Sequence, residues 1–181
     1  MRRSLIPFLI IVCAFIALPP LVNELFPSKL PAAQLIVHNS PRELTDFTFS
    51  DGLGRDFKLD HFRDTYILVN VWATWCSPCK GEMPALNHLA LLFANKNIKI
   101  VPISIDVSGV LSVRSFYERL GLNNLSIYVD SSKNVMDSLG ITGIPTTVLV
   151  GRDGREIGRM VGPAQWDAPE SVKRITGIAR L

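Results

Sequence analysis

Two cysteines three positions apart, Cys76 and Cys79, stand between an apolar run and an amphipathic one. That junction constrains the fold more than any other part of the chain. Before it, residues 66–72 (YILVNVW) are almost continuously apolar, which suits a strand buried on both faces. After it, Met83, Leu86, Leu89, Ala90 and Phe93 recur at three- and four-residue steps, the spacing of a helix with one buried face. Pro84 falls inside that helix and predicts a kink. A strand that needs cover on both sides, followed at once by a helix, calls for an α/β architecture.

The remaining pattern agrees. Residues 45–49 (TDFTF) and 55–59 (RDFKL) alternate around Asp51-Gly-Leu-Gly54 and read as a β-hairpin. Residues 98–105 form a second apolar strand, in which Pro102 predicts a bulge or an unpaired side. A helix over 110–120 should stop at Gly121, a short strand fill 125–129, and a short helix at 133–139 end at Gly140. Residues 146–150 read as a strand that Asp153-Gly154 turns into an antiparallel partner at 156–161. Asp167 or Ser171 should cap a last helix running to the C-terminus. The expected fold is a three-layer α/β domain over 43–181 with a central mixed sheet.

The N-terminal region differs in kind. Arg2-Arg3 precede residues 4–23, which carry no charge. Twenty helical residues at about 1.5 Å each cross a hydrocarbon core of roughly 30 Å. Residues 1–23 therefore read as an uncleaved transmembrane helix, with Cys13 a passive thiol inside it. The arginines stay cytoplasmic, so the rest of the chain lies on the extracytoplasmic side. Residues 24–42 are rich in proline and alanine and read as a linker. A net charge of +3 without a basic run excludes nucleic acid as a partner.

Three chemistries suit a Cys-x-x-Cys pair. A structural metal site needs four ligands, and this chain has no second pair. His88, nine positions after Cys79, would lie on the opposite helix face, and His38 and His61 are far off in sequence. A soft ion such as Cu(I), carried by the two thiolates, is the most sensible metal version. A permanent disulfide closing so short a ring adds little stability. Redox exchange fits best and needs no cofactor beyond the pair itself. Cys76 at a helix N-terminus gains thiolate character from the free N–H groups, and the thiolate is the attacking species. Cys79, one turn deeper, is placed to resolve a mixed disulfide. Pro78 suits the first turn, and Ser77-Pro78 tunes the potential. Trp75 is expected to flank the pair as apolar surface, and Trp72 either to join it or to pack in the core. Downstream, Ile144-Pro145 opens the strand at 146–150. A proline there cannot donate to the ladder, so a tight turn follows, with the Ile144 backbone free to pair with an extended substrate.

Taken together, "YILVNVWATWCSPCKGEMPAL" and "GITGIPTTVLVGRDGREIGRMVG" resemble the thioredoxin superfamily, most closely its membrane-anchored TlpA/ResA-like branch. The resemblance covers about residues 43–165. It implies a thioredoxin fold with an N-terminal β-hairpin and an extra segment between the 98–105 strand and the Ile144–Pro145 turn. It also implies Cys76 as nucleophile, Cys79 as resolving thiol, Pro145 as a cis-proline beside them, and exchange outside the cytoplasmic membrane. Members of the branch commonly act as reductases, and some serve cytochrome c maturation. Asn70 stands where thioredoxin itself carries a buried Asp, so that residue's general-base role is unavailable. Asp106 lies near the place where some members carry a Glu. Thr146 replaces the Glu that cytochrome-maturation members carry after the cis-proline.

The expected activity is thiol–disulfide exchange, with net reduction of a disulfide-bearing exported protein as the favoured direction. A compartment that oxidises thiols demands an electron source, for which a transmembrane thiol relay is the natural donor. Three alternatives stay open on sequence grounds: an oxidant of exported thiols, a copper carrier, and a binding module using the Trp72, Trp75 and Pro145 surface.

Overall fold

The computed structural model describes residues 30–180. The transmembrane helix expected over 1–23, with Cys13, lies outside those residues. Among the described residues no helix is long and apolar enough to cross a membrane.

Among the described residues, eight strands and four α-helices follow one another. They are β1 (Ile36–Arg42), β2 (Phe49–Asp51), β3 (Asp56–Phe57), β4 (Tyr66–Trp72), α1 (Ser77–Leu92), β5 (Ile98–Ser104) and α2 (Val110–Leu120). Then come β6 (Tyr128–Val129), α3 (Asn134–Ser138), β7 (Thr146–Val150), β8 (Glu156–Val161) and α4 (Pro169–Ile178). A 3₁₀ turn, Leu59–Phe62, joins β3 to β4. The strands form one sheet in the order β1-β8-β7-β4-β5-β6-β2-β3.

β4 is central because its sequence can be buried on both sides. Every residue from Ile67 to Trp72 is buried. Successive side chains point to opposite faces, so both faces of the sheet are covered here, as three layers require. β4 runs parallel to β5 and antiparallel to β7, which makes the sheet mixed. The whole arrangement is a thioredoxin-like α/β fold.

α1 continues through Pro84 to Leu92, with Met83, Leu86 and Leu89 buried. β5 keeps an unbroken register with β4 through Pro102, while β6 pairs with it only at Ile103 and Ser104. The proline therefore sits where one side of β5 has not yet gained a neighbour. Gly121 closes α2 at φ 63°, a left-handed conformation that glycine adopts without a Cβ clash.

Three expectations need correction. The hairpin is shorter and lies further along the chain than the alternation suggests: Phe49 pairs with Phe57 and Ser50 with Asp56. Asp51 Oδ1 accepts from the N–H groups of Leu53 and Arg55, closing the turn tightly, and the outer side of β2 is taken by β6. Second, residues 31–42 are not a linker. Ala32 bridges Gln165, Ala33 and Leu35 are buried, and β1 pairs with β8. The alternation Ala33-Gln34-Leu35 is too short to stand out beside its prolines, yet it packs. Third, α4 has Ala168 as N-cap and makes no side-chain cap bond. Asp167 instead meets His88, and Ser171 Oγ donates to Gln165 O and accepts from Ala33 N–H.

Candidate active site

The chain passes from β4 into α1 over four residues, 73–76, and Asp106 supports that short loop. Its buried carboxylate accepts from Thr74 N–H at 2.8 Å, from Thr74 Oγ at 2.6 Å and from Ser104 Oγ at 2.6 Å. Asp106 is thus a brace for the segment that carries Trp75 and Cys76.

Cys76 is the N-cap of α1, and its sulfur accepts the Cys79 N–H at 3.2 Å. Cys76 and Cys79 form a disulfide. Cys76 is 6% exposed and Cys79 is wholly buried, so a partner meets the first sulfur before the second. Ser77 and Pro78 are exposed in the first turn, as a missing N–H there permits.

Opposite the pair, the Ile144–Pro145 peptide is cis. Ile144 O lies 3.8 Å from Cys76 Sγ, and Ile144 precedes β7, outside its ladder. Gly162 N–H donates to Pro145 O and Thr146 pairs with Val161, which ties the turn to β8. Cysteines and turn, 65 or more residues apart in sequence, thus share one surface.

The two tryptophans separate. Trp75 is 62% exposed beside Cys76. Trp72 is fully buried, its ring 5.2 Å from that of Phe116 and 6.0 Å from that of Tyr117. It belongs to the core rather than to the apolar surface beside Cys76, packed against Phe116 and Tyr117 of α2.

Asn70 leads to a residue that the sequence reading missed. Its Nδ2 donates to Glu82 Oε1 at 2.8 Å and to Thr147 Oγ1 at 2.9 Å. Glu82, wholly buried on α1, also accepts at Oε2 from Trp166 Nε1–H at 2.7 Å and from Ala164 N–H at 3.0 Å. Burial pushes its carboxyl up to about 7, against the pull of those three donors. Glu82 stands one helical turn beyond Cys79, on the face that also buries Met83 and Leu86. An acid at an apolar-face position, one turn from a cysteine, was the available signal.

The three histidines are engaged elsewhere. His38 meets Glu156, His88 meets Asp167, and the His61 ring stacks near Phe57.

Comparison with known proteins agrees with this geometry. The family model described as Redoxin matches residues 39–175. A protein named thiol-disulfide oxidoreductase ResA in Geobacillus thermodenitrificans is 34% identical over 110 residues, covering 61% of this chain and 62% of that protein. The chain thus spans about three fifths of that relative. The protein of the same name in Bacillus anthracis is 26% identical over 136 residues, covering 75% and 78%. Among solved structures, a putative thiol:disulfide interchange protein DsbE from Chlorobium tepidum superposes with a TM-score of 0.68 at 20% identity, covering 78% of this chain and 98% of that one. A putative thioredoxin from Neisseria meningitidis gives 0.66 at 25% identity, covering 78% and 92%.

Proposed function

The chain belongs to the Redoxin family, and on that premise we propose that it is a thiol–disulfide oxidoreductase working through Cys76 and Cys79. The observation that carries this is the Cys76–Cys79 disulfide at the start of α1, facing the Ile144–Pro145 turn. In the reduced protein the Cys76 thiolate attacks a partner disulfide. One partner sulfur leaves as a thiolate and takes up a proton, and Cys76 is left in a mixed disulfide. Cys79 then loses its proton and attacks Cys76 Sγ. The second partner sulfur leaves, so the partner has gained two electrons and the Cys76–Cys79 bond is restored.

Cys79 is buried away from water, so its proton needs an internal acceptor. Glu82, one turn on and poised near neutrality, supplies one, and Asn70 does not. Trp75 and the Ile144 backbone line the path by which an extended partner segment approaches.

The direction is reduction of exported proteins, and apocytochrome c is one substrate class to test. Supporting it are the uncharged residues 4–23 behind Arg2-Arg3, which would hold the domain outside the cytoplasmic membrane near a transmembrane thiol relay.

Cys79→Ala should trap partners on Cys76 as adducts that dithiothreitol releases, read on non-reducing gels and by mass spectrometry. A folded C79A protein that collects no such adducts would rule the exchange mechanism out. The reduction potential then decides direction: near −270 mV or lower for a reductase, near −120 mV for an oxidant.

A further inference from the structure

The hydrogen-bond set around Glu82 has a polarity that its protonation must disturb. Oε2 faces Trp166 Nε1–H and Ala164 N–H, and neither can act as an acceptor. Oε2 therefore stays an acceptor in every state, and a proton arriving on the carboxyl must sit on Oε1. There it would point at Asn70 Nδ2, which is also a donor at 2.8 Å. Two donors face to face in a buried site forfeit a hydrogen bond and repel.

The same amide offers the way out. Asn70 Oδ1 is buried and has no hydrogen-bond partner. Turning the amide through half a revolution brings Oδ1 opposite Glu82 Oε1 and Thr147 Oγ1 and breaks no bond that Oδ1 now makes. The Thr147 hydroxyl, an acceptor from Nδ2 at present, can rotate its hydrogen to donate instead. Each state then has two bonds from the amide and one amide atom without a partner.

We propose that Asn70 is a positioning residue whose side-chain amide rotates with each gain or loss of a proton by Glu82, donating to the carboxylate and accepting from the acid. The inference rests on the reading of Glu82 as the proton acceptor for Cys79. The step balances as Cys79–SH plus Glu82 carboxylate giving Cys79 thiolate plus Glu82 acid on Oε1, with no other reactant. Asparagine is suited to this because one side chain carries both a donor and an acceptor. Aspartate could only share the proton, and leucine could serve neither state. Of the elements packed on Glu82, β4 brings Asn70, β7 brings Thr147 through it, and the segment before α4 brings Ala164 and Trp166. The charged pair borne by α1 and that segment, His88 with Asp167, lies at the surface.

The test follows the Asn70 side chain by NMR in the full-length chain in detergent micelles, labelled with 15N-asparagine and oxidised throughout. Above the Glu82 midpoint, read from its 13C carboxyl signal, the Asn70 Nδ2 hydrogens should show a nuclear Overhauser contact with Thr147. Below it the contact should disappear. In Glu82→Gln the Gln amide nitrogen faces Asn70 permanently, so the contact should be absent at every pH. In Asn70→Leu the carboxylate loses a charge-assisted donor and the acid a weaker, neutral acceptor, so the midpoint of the exchange-rate profile should rise by the difference, about one pH unit. A Thr147 contact that persists on the acid side, or an unmoved midpoint in N70L, overturns the proposal. A contact that switches as expected while Glu82→Gln leaves the exchange-rate profile unchanged keeps the rotation and removes the proton-acceptor reading of Glu82.

Discussion

The indole of Trp166 donates to the carboxylate of Glu82 at 2.7 Å, although 84 positions separate them in sequence. The contact joins the segment after β8 to the redox helix, and it meets the acid one turn below the buried sulfur. Trp166 and Glu82 are both wholly buried, so Glu82 satisfies the indole N–H without water, and Trp166 shares Oε2 with the Ala164 N–H.

Replacing Trp166 with Phe keeps an aromatic ring, though a smaller one, and removes the donor at every pH. A hydrogen bond to a buried charged group contributes about 1.5–3 kcal/mol. The loss should be larger at pH 8, where Glu82 is ionised, than at pH 5, where it holds a proton. Urea unfolding of the oxidised protein at the two pH values measures this, and equal losses would count against a charged Glu82.

Glu82 also gives stability a pH dependence of definite sign. Its folded value of about 7 exceeds the ordinary 4.5, so between the two the folded state binds a proton that the unfolded chain lacks. Stability due to this group is complete below pH 4.5 and falls as pH rises to about 7, by roughly 3 kcal/mol at 1.36 kcal/mol per unit. Glu156 and Asp167 act with the opposite sign and lower on the scale, since both are held below the usual carboxylate range. The stability of wild type minus that of Glu82→Gln, followed from pH 4.5 to 8 with the disulfide intact, isolates the effect. A flat difference would show that Glu82 does not titrate there.

Asp106 braces the approach to Cys76 rather than taking part in exchange. Asp106→Ala should cost about 3 kcal/mol, since the Thr74 amide and hydroxyl both lose their acceptor. Insulin reduction should slow while the pH midpoint of the rate stays where it was. A shifted midpoint would mean that Asp106 communicates with the proton step.

Residues 31–35 should behave as core. Leu35 is fully buried, and its carbonyl accepts from Arg174 Nη2 at 2.7 Å. Leu35→Ala should cost about 3 kcal/mol in thermal or urea unfolding, whereas the exposed neighbour Gln34→Ala should stay within about 0.5 kcal/mol. Equal, small effects would return this stretch to the status of a linker.

Much of the site was legible from local pattern alone. A continuous apolar strand, a Cys-x-x-Cys turn and a three–four helix repeat lie within 30 residues, and each dictates its own conformation. The Ile144–Pro145 turn was legible for the same reason, because a proline at a strand entry has few options. Trp72 was open between core and surface because nearness to Cys76 in sequence says nothing about which face of β4 its side chain occupies. The β1 segment was misjudged because an edge strand with mostly exposed residues carries almost no hydrophobic signal.

The sequence by itself therefore determined most of the elements, β1 excepted, and that two thiols begin a helix, since propensity and periodicity act over a few residues. Only the tertiary structure decided that Asn70, Glu82, Thr147 and Trp166 meet around one carboxyl group. Those residues come from β4, α1, β7 and the segment before α4, and no local rule relates them. Burial raises the proton affinity of Glu82, its donors fix which oxygen carries the proton, and both effects exist only once the chain has closed over it.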